Sequence, residues 1–96
     1  LYRVTVRPRA TEEQVVRLSQ GVKLDDGFVT APATVVTKRT HVRGDHAHTT
    51  YFATFQFASG DRLELEVPHT HFGYLVEGDK GKLTFQGTRF LEFQRT

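Results

Sequence analysis

The chain contains no cysteine and no methionine, and only two serines, Ser19 and Ser59. Without cysteine there can be no disulfide framework, no thiolate zinc site and no cysteine nucleophile. No run of apolar residues approaches the roughly 20 that cross a bilayer, and no signal peptide is recognisable. Because the sequence starts at Leu1 and lacks methionine, we expect an excised piece, which leaves room for a membrane segment upstream.

Length and charge indicate one domain without a strong preference for an acidic polymer. The 96 residues predict a single domain over 1–96. The net charge of +2 divides into eight basic and five acidic residues over 1–48, and five basic and six acidic residues over 49–96. This balance permits a polyanionic partner but does not require one. Nine of the eleven aromatic residues follow residue 50, so we expect the core to form around that half.

The first 31 residues predict a strand and a short helix that precede the main sheet. Leu1–Arg7 alternates apolar and polar residues, which is typical of a half-buried strand. Thr11-Glu12-Glu13-Gln14 has the form of a capping box and predicts a helix over about 12–20. Gly21 suits the left-handed position after that helix. Residues 22–32 are rich in turn-forming residues and are expected to connect the two parts.

From Ala33 onward the pattern predicts only strands, one helical turn and tight turns. Tyr51, Ala53, Phe55 and Phe57 share one face of the second strand, and the third strand alternates in the same way. Phe90 and Phe93 have opposite parity within the last strand, which predicts a bulge or twist. The predicted strands are Ala33–Val42, Thr50–Phe57, Arg62–Val67, Lys82–Gln86 and Arg89–Gln94, with a helical turn after Pro68 and turns at Ser59-Gly60, 78–81 and Gly87-Thr88.

These elements predict a mostly β fold with five strands over residues 32–96. An antiparallel sheet of this size avoids exposed edges most simply by closing on itself. We therefore expect a small closed or partly open antiparallel β-barrel, with the N-terminal strand and one short α-helix added. Periodicity does not separate an SH3-like from an OB-like topology, and both stay open here.

The C-terminal part resembles a known family. Gly73 to Phe93 contains Leu75 and the run GDKG-x-L-x-x-x-GTRF, which resembles the signature of the bacterial domain-of-unknown-function family number 2500. Residues 35–39 (VVTKR) and 51–55, followed by Gly60, resemble the family's first strands, so the resemblance covers about residues 32–95. It implies a small bacterial protein, often with an N-terminal membrane helix, and it assigns no activity, catalytic residues or cofactor.

The histidines are the residues most suggestive of a ligand site. His46 and His48, and likewise His69 and His71, are two residues apart, with His41 and Asp45 nearby. In a strand this spacing would place both rings on one face, where they could bind zinc or copper. Both pairs fall in predicted loops, and exposed loop histidines are the simpler interpretation. We therefore assign no metal site.

Nucleic-acid binding is a further alternative for a small barrel. Phe52 lies on the strand face opposite Tyr51 and could stack on a base near Lys38 and Arg39. Glu64 and Glu66 are predicted on the neighbouring outer face, where they would repel phosphates. The competing interpretation is that the N-terminal strand and helix cover Phe52.

Catalysis has the least support from the sequence. Ser59 lies in a predicted hairpin turn, and no base and acid are placed beside either serine. Gly78-Asp79-Lys80-Gly81 lacks the spacing of a phosphate-binding loop and is expected to form a β-turn in which both glycines take positive φ. In the closing run, Phe90 is expected in the core, and Arg89 either in solvent or paired with Glu92.

The sequence therefore predicts a non-catalytic accessory or protein-interaction module with no cofactor and an unknown protein partner. The resemblance adds the expectation that the module is tethered to the bacterial inner membrane through a segment outside this chain. The alternative is a ligand-binding barrel, for single-stranded nucleic acid or for a metal bound by histidines.

Overall fold

The computed structural model describes residues 10–24, 26–44 and 48–96 and confirms a mostly β fold. The strand predicted over Leu1–Arg7 lies outside the described residues. Within the described part, no helix is both long enough and apolar enough to cross a membrane. The elements are α1 (Glu12–Leu18), β1 (Val22–Lys23), β2 (Val29–Arg43), β3 (His48–Phe57), β4 (Arg62–Val67), α2 (His69–Phe72), β5 (Lys80–Gln86) and β6 (Arg89–Arg95).

Strands β2 to β6 close into a five-stranded barrel, and β1 is one extra strand beside it. The sheet order is β1-β2-β3-β4-β6-β5, and β2 also pairs with β5. A closed ring with an odd number of strands cannot be antiparallel at every junction. The exception to the predicted antiparallel sheet is the pair β4–β6, which is parallel and joined at Glu66 and Arg89. This order, with a helix between the third and fourth barrel strands, is that of an OB-like barrel.

The predicted hairpin of β3 and β4 forms the best-defined side of the core. Ala53, Phe55 and Phe57 are buried, and Tyr51 on the same face packs partly against them. Across the hairpin, Tyr51, Ala53 and Phe55 pair with the buried Val67, Leu65 and Leu63. The alternation in both segments therefore identified the inward face correctly, and β4 has the predicted bounds.

The predicted irregularity in the last strand is also confirmed. The register between β5 and β6 shifts after Thr84, because Thr84 pairs with Glu92 while Phe85 pairs with Phe90. The extra residue turns both phenylalanines of β6 toward the core. The ring centroids of Phe90 and Phe93 lie 6.0 and 5.5 Å from that of Phe55.

Strand β2 begins at Val29, four residues before its predicted start, and Pro32 lies inside it. Val35 donates its N–H to the Asp79 carbonyl and accepts from the Gly78 N–H, at 2.9 and 2.7 Å. The backbone N–H and C=O groups of successive strand residues point to opposite edges, and those of Val35 point to the β5 edge. The backbone of Pro32, three residues earlier, therefore points to the edge away from β5. There the pairing with β1 ends at Thr30 and that with β3 starts at Ala33, so the missing proline N–H interrupts no pair.

The predicted helix cap is confirmed, but the helix is shorter than expected. The Gln14 N–H donates to the Thr11 hydroxyl at 3.2 Å, and the Thr11 N–H donates to the Gln14 side chain at 2.9 Å. The helix ends at Leu18, and Gln20, not Gly21, has the positive φ of 61°. A side chain on Gly21 would approach the Val15 carbonyl oxygen to 3.0 Å, so close packing is the reason for a glycine there.

The predicted helical turn after Pro68 is α2, and the segment GDKG divides between a turn and a strand. Gly78 has φ +97°, as expected for a turn. Gly81 belongs to β5 instead and has no positive φ, which corrects the prediction for this glycine. A Cβ on Gly81 would lie 2.2 Å from the Gln94 carbonyl oxygen, so the two strands can approach this closely only with glycine.

Candidate interaction surface

The segment 73–79, between α2 and β5, is a loop with a well-defined internal structure. The N–H groups of Tyr74 and Leu75 both donate to the His71 carbonyl, at 3.0 and 3.2 Å. The Val76 N–H donates to the Asp79 carboxylate at 3.2 Å, and the Asp79 N–H donates back to the Val76 carbonyl at 2.9 Å. Hydrogen bonds at both ends therefore restrict the backbone of the 73–79 loop.

Two cationic side chains attach this loop to the barrel. Lys38 on β2 donates from Nζ to the Leu75 carbonyl at 2.6 Å, and the same Nζ lies 4.3 Å from the centroid of the Phe72 ring. Arg95 on β6 forms an ion pair with Asp79 at 2.9 Å and also donates to the Tyr74 carbonyl. The two cations thus form hydrogen bonds and an ion pair with the backbone and carboxylate oxygens of the loop.

The side chains of the loop divide between the core and solvent. Leu75 is buried at 2% exposure and belongs to the core of the barrel. Tyr74 and Val76 on either side of it are 70% and 55% exposed. Val76 also lines a shallow depression of about 410 Å³ together with Lys38 and Glu77. The loop therefore presents two large apolar side chains to solvent on a hydrogen-bonded frame.

A groove lies beside the loop, where β5 begins. It has a volume of about 350 Å³ and is lined by parts of β2, β3 and β5. Its lining includes Lys80 and Lys82 on β5, their cross-strand neighbours Thr34 and Pro32 on β2, and Gln56 on β3. Thr34 pairs with Lys80 across the two strands, and Val35 bonds to Asp79, so the groove begins at the residue that follows the 73–79 loop.

The face around Phe52, the candidate base-stacking residue, is occupied by the protein's own side chains. The guanidinium of Arg39 lies 4.1 Å from the centroid of the Phe52 ring. Arg39 in turn donates two hydrogen bonds of 2.8 Å to the Glu64 carboxylate. The hydrogen bonds to Glu64 raise the pKa of Arg39 above its ordinary value. Among the described residues Arg39 lies over Phe52, and the N-terminal strand of the competing interpretation lies outside the described residues.

The histidines do not converge among the described residues. His48 lies at the exposed start of β3, and His46 and Asp45 lie outside the described residues. His69 and His71 lie on α2, where a spacing of two residues turns the side chains to different sides. His69 lies 6.3 Å from the Tyr51 ring, whereas His71 contacts Phe90 at 5.3 Å. No group of three metal-ligating side chains forms within 10–24, 26–44 and 48–96.

The structure brings the only two serines together, a contact that sequence reasoning missed. The hydroxyl oxygens of Ser19 and Ser59 are 2.6 Å apart, and Ser59 donates to the Asp61 carboxylate at 2.8 Å. A hydroxyl has one proton, so Ser19 is the donor to Ser59. Ser19 is fully buried, and the hydrogen bonds from Ser19 to Ser59 and from Ser59 to Asp61 attach the end of α1 to the β3–β4 turn. No local pattern links residues 40 positions apart.

The closing run GTRF has the predicted division of roles in part. Phe90 is buried and fills the core. Arg89 is exposed, and no ion pair between Arg89 and Glu92 is formed among the described side chains. Of the two alternatives for Arg89, the solvated side chain is the one found.

Comparisons with known proteins identify one family. A family model described as "Protein of unknown function (DUF2500)" matches residues 25–94. The chain is similar to the crystal structure of a DUF2500 protein from Klebsiella pneumoniae, with 26% identity, a TM-score of 0.64 and coverage of 70% of this chain and 96% of that one. It has the fold of a structure from Proteus penneri ATCC 35198, with 21% identity, a TM-score of 0.63 and coverage of 71% and 94%. No curated protein matches the chain.

Proposed function

The chain belongs to the DUF2500 family of proteins of unknown function, as its resemblance over residues 32–95 predicted, and from this premise we propose a non-catalytic module that binds a protein partner through the 73–79 loop. The observation that carries the proposal is the exposure of Tyr74 and Val76 on a backbone fixed by hydrogen bonds. A preorganised surface loses little conformational entropy when a partner covers it.

The composition of the loop fits an interface. Tyrosine is enriched at protein interfaces because its ring offers a large contact area with few rotatable bonds. Val76 forms one wall of the shallow depression, so a partner side chain placed there would contact it directly. Glu77 at the same depression supplies a charged group, while the ammonium of Lys38 is bonded to the loop backbone. Apolar centre and polar rim are the usual arrangement of a binding patch.

Two further features support the non-catalytic part and the location. Ser19 is buried and Ser59 is hydrogen-bonded to Ser19 and Asp61, so both serve to attach α1. We place the module at the bacterial inner membrane through a segment outside this chain, because that is the arrangement that the family resemblance implies. Membrane fractionation of the full-length protein tests the location; recovery wholly in the soluble fraction would contradict it.

The partner can be sought by photo-crosslinking in the native bacterium. Tyr74 is replaced by benzoylphenylalanine, and Thr40, exposed on β2, receives the same probe as a control. We expect one reproducible crosslinked protein from position 74 and not from position 40. That protein is then purified, and its affinity for the uncrosslinked module is measured by calorimetry.

A matched pair of valines makes the affinity measurement specific. Val76→Ser should weaken binding of the purified partner about tenfold, the scale of one well-packed interface residue. Val42, which is 60% exposed on β2, provides the control, and Val42→Ser should change the affinity less than twofold. Equal effects of the two substitutions, or no crosslink specific to position 74, would refute the proposed function.

A further inference from the structure

The groove beside the 73–79 loop carries two cations that the described protein does not neutralise. Lys80 and Lys82 are two residues apart on β5, so their side chains leave the same face of the strand. Both are exposed, and no carboxylate of the described residues forms an ion pair with either. By contrast, Lys23, Arg39 and Arg95 each have a carboxylate partner.

Strands β2 and β3 add neutral hydrogen-bonding groups to the groove. Thr34 on β2 and Gln56 on β3 line it, with Pro32 beside them. For a carboxylate bound in the groove, the lining offers two ammonium groups, a hydroxyl and an amide that can donate hydrogen bonds. With a volume of about 350 Å³, the groove suits one or two side chains better than a long polymer.

We infer that this Lys80–Lys82 groove receives the carboxylates of an extended acidic segment of the protein that binds the 73–79 loop. The inference rests on the proposed function and specifies the chemistry of the partner. The groove begins at Lys80, the residue that follows the 73–79 loop, so the two surfaces adjoin along the chain.

An acidic peptide fits these observations better than a nucleic acid. A phosphate backbone gains affinity from many cations along its path, and the groove offers two. Beyond Arg62, which donates to Gln56, the outer face of β4 carries Glu64, which is paired with Arg39, and the exposed Glu66. This face therefore offers no continuous row of cations for a phosphate chain to follow. A peptide segment can place two carboxylates in the groove and apolar side chains on the loop.

The test is an NMR titration of the ¹⁵N-labelled chain with the acetylated, amidated peptide EELEELEE. We expect saturable shifts of the amides of Thr34, Gln56 and Gly81, weaker binding at high salt, and no comparable shifts with QQLQQLQQ. Substituting both lysines, Lys80→Gln with Lys82→Gln, should weaken binding about fivefold or more. Arg89→Gln removes an exposed cation elsewhere and should change the affinity less than twofold.

The outcomes separate this inference from the proposed function. Equal weakening by Arg89→Gln would show that only net charge matters and would overturn the groove. The same would follow if an eight-nucleotide thymidine oligomer shifted these amides at lower concentration than EELEELEE. The crosslinked partner could lose affinity with Val76→Ser but not with the double lysine substitution. Binding of an acidic segment in the groove would then be refuted, and binding to the loop would be supported. If neither substitution matters, both are wrong.

Discussion

Lys38 and Arg39 are neighbours on β2, and their side chains have different effects on the apolar surfaces on the two sides of the strand. Arg39 lies over the Phe52 ring and is held there by Glu64, so the ring is half-buried. Lys38 extends under the 73–79 loop and bonds to its backbone, which leaves Tyr74 exposed. A cation that covers an aromatic ring protects it from solvent, whereas one that fixes the backbone keeps the exposed ring in a defined position.

This difference distinguishes two kinds of exposed aromatic residue. Isolated exposed apolar side chains are normal on protein surfaces and need no explanation. An exposed pair on a backbone held by Lys38, Arg95 and Asp79 is less ordinary, because fixing a loop lowers its conformational entropy. The 73–79 loop therefore has the character of a binding surface, and the Phe52 face does not.

The largest effect is expected from removing the buried side chain of the loop. Leu75→Ala deletes a side chain that is 2% exposed, so we expect the free energy of unfolding to fall by about 3 kcal/mol. Chemical denaturation monitored by circular dichroism measures the change. Val76→Ala, next to it but exposed, should lower the free energy by less than about 0.5 kcal/mol. Similar losses for both substitutions would show that Leu75 and Val76 do not differ in burial as the structure indicates.

A smaller change sharpens the role of Lys38. Lys38→Met keeps most of the aliphatic stem but removes the ammonium group that donates to the Leu75 carbonyl and lies over the Phe72 ring, and we expect a loss of about 1 kcal/mol. Hydrogen exchange of the Tyr74 and Leu75 amides should become faster while that of the β3 amides changes less. Uniform acceleration across the sheet would mean that Lys38 supports the whole barrel and not the loop in particular.

The corresponding change on the other side uncovers Phe52. Arg39→Met removes the guanidinium and its bonds to Glu64, which lie in solvent and are screened, so the unfolding free energy should fall less than for Lys38→Met. Crosslinking from position 74 should be unaffected. A loss of the crosslink would show that the two surfaces are coupled and that the contrast between them is wrong.

The sequence predicted the hairpins well because strand alternation is a local record of which side chains face the core. The bounds of β4, the bulge near Phe90 and the cap at Thr11 all depend on neighbours within a few residues. The predicted start of β2 lies four residues late because 22–32 is rich in turn-forming residues, and the gap between the pairings with β1 and β3 explains why Pro32 is tolerated.

The features that the sequence does not predict depend on closure of the barrel. The parallel pair β4–β6 and the contact between Ser19 and Ser59 join residues far apart in the chain. The two histidines of α2 show the same limit, because their spacing indicates one face in a strand but not in a helix. Arg39 over Phe52 and Lys38 under the loop likewise follow from which face of β2 each side chain takes.

The smallest expected change in stability is the most informative for the loop. Tyr74→Ser removes a ring that is 70% exposed, while the Tyr74 carbonyl that accepts from Arg95 stays in place. We expect the free energy of unfolding to change by less than about 0.5 kcal/mol, because little apolar area returns to water on unfolding. The partner isolated by crosslinking from position 74 should nevertheless bind about tenfold more weakly. A clear loss of stability would show that Tyr74 packs against the protein itself and that its role is structural. Unchanged stability with reduced binding is the combination that only an interaction surface predicts, because a structural residue would lower both.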